Sequence, residues 1–157
     1  MKGACGTRLG SDEALLPFPD LPEATKQPAG DIHDDSAVAG IDPHQDSYTV
    51  GIVDANGVEL THETFPTTAA GYLDGMELLN THGVAQVGIE GSAGWGAHAA
   101  MAFVAAGLDC REVPAQRSAA QRRARRLDKT DAVDAVAAAR ALLAEPTLGP
   151  VQTVGGV

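Results

Sequence analysis

At 157 residues and 44% apolar content, the chain has the length and composition of one globular domain with a sizeable core. Aromatics are only 4%, so that core is expected to be built mostly from Ala, Val, Leu and Ile. The net charge of -10 argues against a nucleic-acid partner at first sight, but residues 1–110 hold 3 Lys/Arg against 16 Asp/Glu, whereas residues 111–157 hold 8 against 5.

Residues 1–35 are expected to be a flexible leader, because Pro17, Pro19, Pro22 and Pro28 interrupt any helix or strand beyond a short turn at residues 14–16. Order begins at residue 36, with a short apolar strand over residues 37–41 that stops at Asp42-Pro43. Residues 48–54 alternate and are rich in β-branched side chains, a second strand. Ala55-Asn56-Gly57 supplies a hairpin turn, since Asn-Gly tolerates positive φ, and residues 58–65 return as a third strand closed by Pro66. Thr67 or Thr68 can cap a helix whose apolar positions Tyr72, Leu73, Met76 and Leu79 have helical spacing, ended by Gly83. Residues 84–89 read as a buried strand that delivers Glu90 to its C-terminal end. A glycine-rich loop over residues 91–96 leads to a helix over residues 98–106, stopped by Gly107. Residues 108–113 form a fifth strand ended by Pro114, and residues 118–143 form one Ala/Arg-rich helical stretch stopped before Pro146. The tail, residues 146–157, is expected to be loose.

The order β-β-β-α-β-α-β-α is that of a ribonuclease H-like (RuvC-like) α/β domain, a mixed sheet of about five strands covered by helices. Asp42 and Glu90 stand at strand ends, where ligands of open α/β sheets gather. Asp131 and Asp134 are three apart on a helix and share a face, within a stripe of Ala124, Leu127, Asp131, Asp134, Ala138 and Leu142 expected to pack on the sheet. Carboxylates on such a face are costly unless a cation or hydrogen-bond donors offset their charge. Any one of them alone is explained by solvent exposure or pairing, Asp134 with Lys129 or Arg140. The four together point to a hard, oxygen-loving ion, Mg²⁺ or Mn²⁺. Two such ions ~4 Å apart would stabilise an in-line phosphodiester displacement.

His33, His44, His62, His82 and His98 show no metal-ligand spacing, although His44 follows Asp42-Pro43 and could line the site. Ser92 is in no nucleophile elbow, and no phosphate-loop motif occurs. Trp95 is expected to pack in the core or at a helix start, with base stacking the lesser reading, and Cys110 is expected to be a small buried strand residue. Cys5 and Cys110 form no C-x-x-C pair. The longest apolar run, residues 99–108, is too short to span a bilayer, and the chain opens on no secretion signal. A reduced, cytoplasmic protein without a membrane partner follows.

Three segments carry a resemblance: Gly40-Ile41-Asp42-Pro43-His44, then Gly88-Ile89-Glu90-Gly91-Ser92-Ala93-Gly94, then Lys129-Thr130-Asp131-Ala132-Val133-Asp134-Ala135. In motif, order and spacing they resemble the N-terminal RuvC-like domain of IS110-family transposases, over about residues 36–145. The resemblance implies a DEDD tetrad of Asp42, Glu90, Asp131 and Asp134 that is catalytic and binds divalent metal, Mg²⁺ or Mn²⁺, in DNA transposition and recombination. It implies DNA as a partner, a structured guide RNA from the element, and homo-oligomers in the full-length family. Arg117, Arg122, Arg123, Arg125, Arg126 and Lys129 would then meet nucleic-acid phosphate. Family members continue into a helical region and a second domain with a catalytic serine. The chain is therefore expected to be an incomplete copy, inactive alone, and the alternative is a non-catalytic nucleic-acid-binding remnant. A sugar-kinase or chaperone-type ATPase lobe ranks last, because residues 42–46 contain no glycine for a phosphate loop.

Overall fold

The computed structural model describes residues 37–151, so the expected leader, the end of the tail, Cys5 and His33 lie outside the described residues. Five strands form one mixed sheet in the order β3-β2-β1-β4-β5. β1 (Val38–Pro43), β2 (Ser47–Val53) and β3 (Glu59–Pro66) make an antiparallel meander. β4 (Gln86–Ile89) then pairs parallel to β1, and β5 (Asp109–Glu112) parallel to β4. The β2–β3 turn forms where Asn-Gly predicts it. Gly57 takes φ 84°, and Asp54 Oδ1 accepts from Asn56 N and Val58 N, both at 2.9 Å.

Among the described residues four helices cover the sheet. α1 (Ala69–Thr81) is capped by Thr68, whose hydroxyl accepts from Gly71 N at 3.0 Å. α1 and α2 (Ala97–Ala105) share a core cluster that contains Tyr48, Phe65, Tyr72 and Phe103, with ring centroids 5.1–6.2 Å apart. Four of the five aromatics among the described residues are thus gathered into one cluster, and Trp95 stands apart from it. The other cluster is Val, Ala and Leu, as composition led us to expect. There α4 (Asp131–Ala144) lies directly on β1, β2 and β4.

Register explains how close α4 lies. Gly40 of β1 pairs with Gly51 of β2 and Gly88 of β4, so three glycines form a row across the sheet. A Cβ at Gly40 would collide with the backbone of Ala135 and Ala139, and one at Gly51 with Val136. The row is a trough, and the alanines of α4 fill it.

Two expectations need correction. Residues 118–143 are not one helix. α3 (Ala115–Ala124) ends and α4 starts anew, because Arg126 adopts φ 56° and the chain reverses. Leu127 N bonds to Arg122 O at 3.1 Å and Arg126 N to Arg123 O at 3.0 Å, a Schellman closure with arginine where glycine is usual. Thr130 then caps α4, its hydroxyl accepting from Val133 N at 3.1 Å. Ala124 and Leu127 therefore do not continue the stripe of Asp131, Asp134, Ala138 and Leu142. The tail is also packed as far as residue 151. Leu148 is buried, Gly149 O accepts from Glu112 N at 2.9 Å, and Val151 N bonds to Cys110 O at 3.2 Å. Among the described residues no helix is long and apolar enough to cross a membrane.

Candidate metal centre

Parallel pairing of β1 and β4, with Ile41 beside Ile89, carries the next residues, Asp42 and Glu90, to the same edge of the sheet. The trough beneath α4 brings the first turn of that helix to this edge, and with it Asp131 and Asp134. Asp42 is 7% exposed and Asp134 6%, whereas the Asp131 side chain is 59% exposed. Between Asp42 and Asp131 stands His44. Its Nε2 lies 2.9 Å from Asp42 Oδ2 and 3.1 Å from Asp131 Oδ1. These three side chains each offer a donor atom within 4.8 Å of the others.

The electrostatics describe a site that wants positive charge. Burial raises the pKa of Asp42; the hydrogen bond and charge of His44 oppose this, and the charges of Asp134 and Asp131 add to it. Burial also raises Glu90, helped by Asp42 and Asp134 and opposed by Lys129 and Ser118. For His44 burial acts against the charged ring, but Asp42 and Asp131 together outweigh it and raise its pKa. The two carboxylates thus favour positive charge on the ring that stands between them. The donor set, two carboxylates and one imidazole with Glu90 nearby, fits a small divalent ion, and the imidazole suits Mn²⁺ more than Mg²⁺.

These shifts act on stability in one direction. The cost of ionising buried Asp42 and Glu90 appears as pH rises through their ordinary values of 3.8 and 4.5. Stabilisation from charged His44 is complete below its ordinary 6.5 and disappears as pH rises through the raised folded value. In EDTA the melting temperature should fall as pH rises from the ordinary carboxylate values of 3.8 and 4.5 to above the ordinary imidazole value of 6.5. His44→Gln should flatten the upper part of that slope in thermal melts. A melting temperature that rises with pH would contradict the assignment.

Comparison with known proteins agrees with this fold. The profile of the DEDD transposase domain of IS110 type, described as Transposase, matches residues 39–154. The chain belongs to this IS110 transposase family. Two solved structures, both RuvC of Thermus thermophilus, share its fold. One is in complex with a Holliday junction substrate (TM-score 0.56, 17% identity) and the other is RuvC by itself (0.55, 18%). Each alignment covers 73% of this chain and 99% of the RuvC chain. The comparison with curated proteins returned no match.

The IS110 domain treats its other expected site residues unevenly. Asp134 is near the centre but engaged elsewhere: Arg122 Nη1 is 2.9 Å from Oδ1 and Lys129 Nζ 2.7 Å from Oδ2. Arg140 instead donates to Gly57 O at 2.8 Å. Glu90 is half-buried and outside the converging group. Ser118 Oγ, fully buried, lies near enough to Glu90 to favour its charged form, yet makes no hydrogen bond of normal geometry. Nothing in the sequence pattern singled out Ser118.

The basic run does not form one patch. Arg117 pairs with Glu145 at 3.2 Å, and Arg122 and Lys129 with Asp134. Arg125 lies against Gly57, at the sheet end opposite Asp42. Arg123 and Arg126 are exposed and have no ion-pair partner among the described residues.

Trp95 is 63% exposed, not a core residue, because the glycine loop turns its side chain outward. That loop is tied to β5 by Glu112, which accepts from Gly91 N and Ser92 N, both at 3.1 Å, and from the Ser92 hydroxyl. Cys110 is buried as expected. A groove of about 490 Å³ between β3 and α1 is lined by Glu63, Asp74 and Glu77, the wrong charge for a polyanion.

Proposed function

We propose that this is the metal-dependent, DNA-handling domain of an IS110-type transposase or recombinase, carried by residues 36–145. Asp42, Glu90, Asp131 and Asp134 are its catalytic carboxylates and Mg²⁺ or Mn²⁺ its ion. The observation that carries the reading is the convergence of Asp42, His44 and Asp131 at the edge where β1 and β4 end. Asp42 and Asp131 would hold the ion through oxygen, and His44 through Nε2. Glu90 stands beside Asp42 and adds negative charge. The bound ion would supply Lewis acidity to a phosphodiester and a more acidic water. DNA as substrate is supported by the fold shared with a RuvC solved on a Holliday junction. A structured guide RNA and self-association complete the family reading.

The deciding experiment incubates branched DNA with the full chain in Mn²⁺, comparing wild type with Asp42→Ala. Cleavage by wild type that the variant lacks supports the catalytic reading. Binding without cleavage by either favours a non-catalytic nucleic-acid-binding remnant. That second reading draws support from Asp134, whose two oxygens are both held by cations. Neither binding nor metal uptake would remove both.

Phosphate contact falls to Arg123 and Arg126, exposed and without an ion-pair partner among the described residues. The Arg123→Ala/Arg126→Ala double variant should lower the slope of log affinity against log salt for duplex DNA by about 2. Arg117→Ala should change it less, because Glu145 already holds that guanidinium. Equal effects in an anisotropy titration would refute the division.

A further inference from the structure

Asp134 is the one carboxylate at this edge whose two oxygens are each taken by a protein cation, Arg122 on Oδ1 and Lys129 on Oδ2. It nevertheless lies at the first turn of α4, close enough to the centre for its charge to act on both Asp42 and Glu90. The two cations come from either side of the connector between α3 and α4. Arg122 is in the last turn of α3, and Lys129 stands just before the Thr130 cap. The left-handed Arg126 makes the reversal that returns both side chains to one carboxylate. They are not equivalent. The Arg122 side chain is 20% exposed and enclosed beside Asp134, whereas that of Lys129 is 72% exposed. An exposed ammonium exchanges partners at little cost, and a phosphate oxygen is as good an acceptor as a carboxylate.

We propose that Arg122 and Lys129 form a clamp that withholds Asp134 from the metal centre, and that a divalent ion and a nucleic-acid backbone release it jointly. The phosphate takes the lysine while the ion takes the carboxylate. Each ligand removes the competitor of the other, so the two bindings are coupled and reciprocal. The proposal rests on the metal reading above, but its tests separate the two. Asp134 is the exchangeable group, and Lys129 is a positioning residue that acts through it.

The first test measures free Mn²⁺ by electron paramagnetic resonance with the full chain. Lys129→Met should bind Mn²⁺ about tenfold more tightly than wild type, and Lys129→Arg, which keeps the charge, should not. Lys129 is exposed, so circular dichroism should show an unchanged fold. Equal or weaker binding by Lys129→Met overturns the clamp and leaves the metal reading standing; no Mn²⁺ binding by wild type or variant overturns both.

The second test needs no metal. In EDTA, labelled duplex DNA is titrated with Asp134→Asn and Asp131→Asn, which remove the same charge. The clamp predicts that Asp134→Asn gains several-fold more affinity, because it alone frees Arg122 and Lys129. Equal gains would mean that the pairs do not restrain the basic segment, and would overturn the coupling.

Discussion

Asp42→Asn should weaken Mn²⁺ binding at least about a hundredfold, effectively abolishing it in calorimetry, while the protein stays folded. Asp42 is the buried member of the converging group and the one whose position depends on β1 rather than on a helix end. The amide keeps one neutral oxygen in place of two charged ones, so the ion loses its anionic anchor and His44 loses the charge that holds it. Asp131→Asn should cost less, about tenfold, because its side chain is 59% exposed and can be replaced in part by water. The sign of the pKa shift guards against a trivial explanation. Burial disfavours ionised Asp42 in the folded state, so above its ordinary range the neutral asparagine should leave metal-free stability equal or improved. Loss of metal binding together with an undiminished melting temperature in EDTA would therefore locate the effect at the centre. Unchanged Mn²⁺ affinity in Asp42→Asn would sink the metal assignment.

Gly40→Ala should destabilise the domain by about 3 kcal/mol or more, read from urea unfolding, although it adds one methyl group. The added carbon meets the backbone of α4 at Ala135 and Ala139, and backbone cannot rotate aside as a side chain can. Gly88→Ala should cost less, because its closest neighbour is the Val113 side chain. Gly149→Ala has open space around it and should fall within about 0.5 kcal/mol of wild type. Displacing α4 from the trough would also carry Asp131 away from Asp42, so Gly40→Ala should lose Mn²⁺ affinity even where it remains folded. A stable Gly40→Ala with intact affinity would show that α4 does not need its close seat.

Much of this was legible from local patterns. Asn56-Gly57 specifies a hairpin because positive φ is open to few residues, and the alternation on either side marks two strands. Strand ends marked by Pro43 and Gly91 placed Asp42 and Glu90 at corresponding edges, and the motif around Asp131 and Asp134 identified the family that the profile then matched. These signals lie within a few residues of the feature they specify.

What remained hidden depends on neighbours distant in sequence. No glycine or proline marks the break between α3 and α4. An arginine adopts the left-handed conformation there, held by the closure onto Arg122 and Arg123 and by the Thr130 cap beyond it. Gly40, Gly51 and Gly88 look like ordinary strand glycines until pairing register aligns them into a trough. His44 has no metal-ligand spacing, since its partner Asp131 arrives from a helix 87 positions later. Sequence alone determined which carboxylates this domain carries and at which element ends. Only the tertiary structure decided that Asp42 and Asp131 meet across His44 while Asp134 is held by two cations, because charge pairing follows distance in space, not order along the chain.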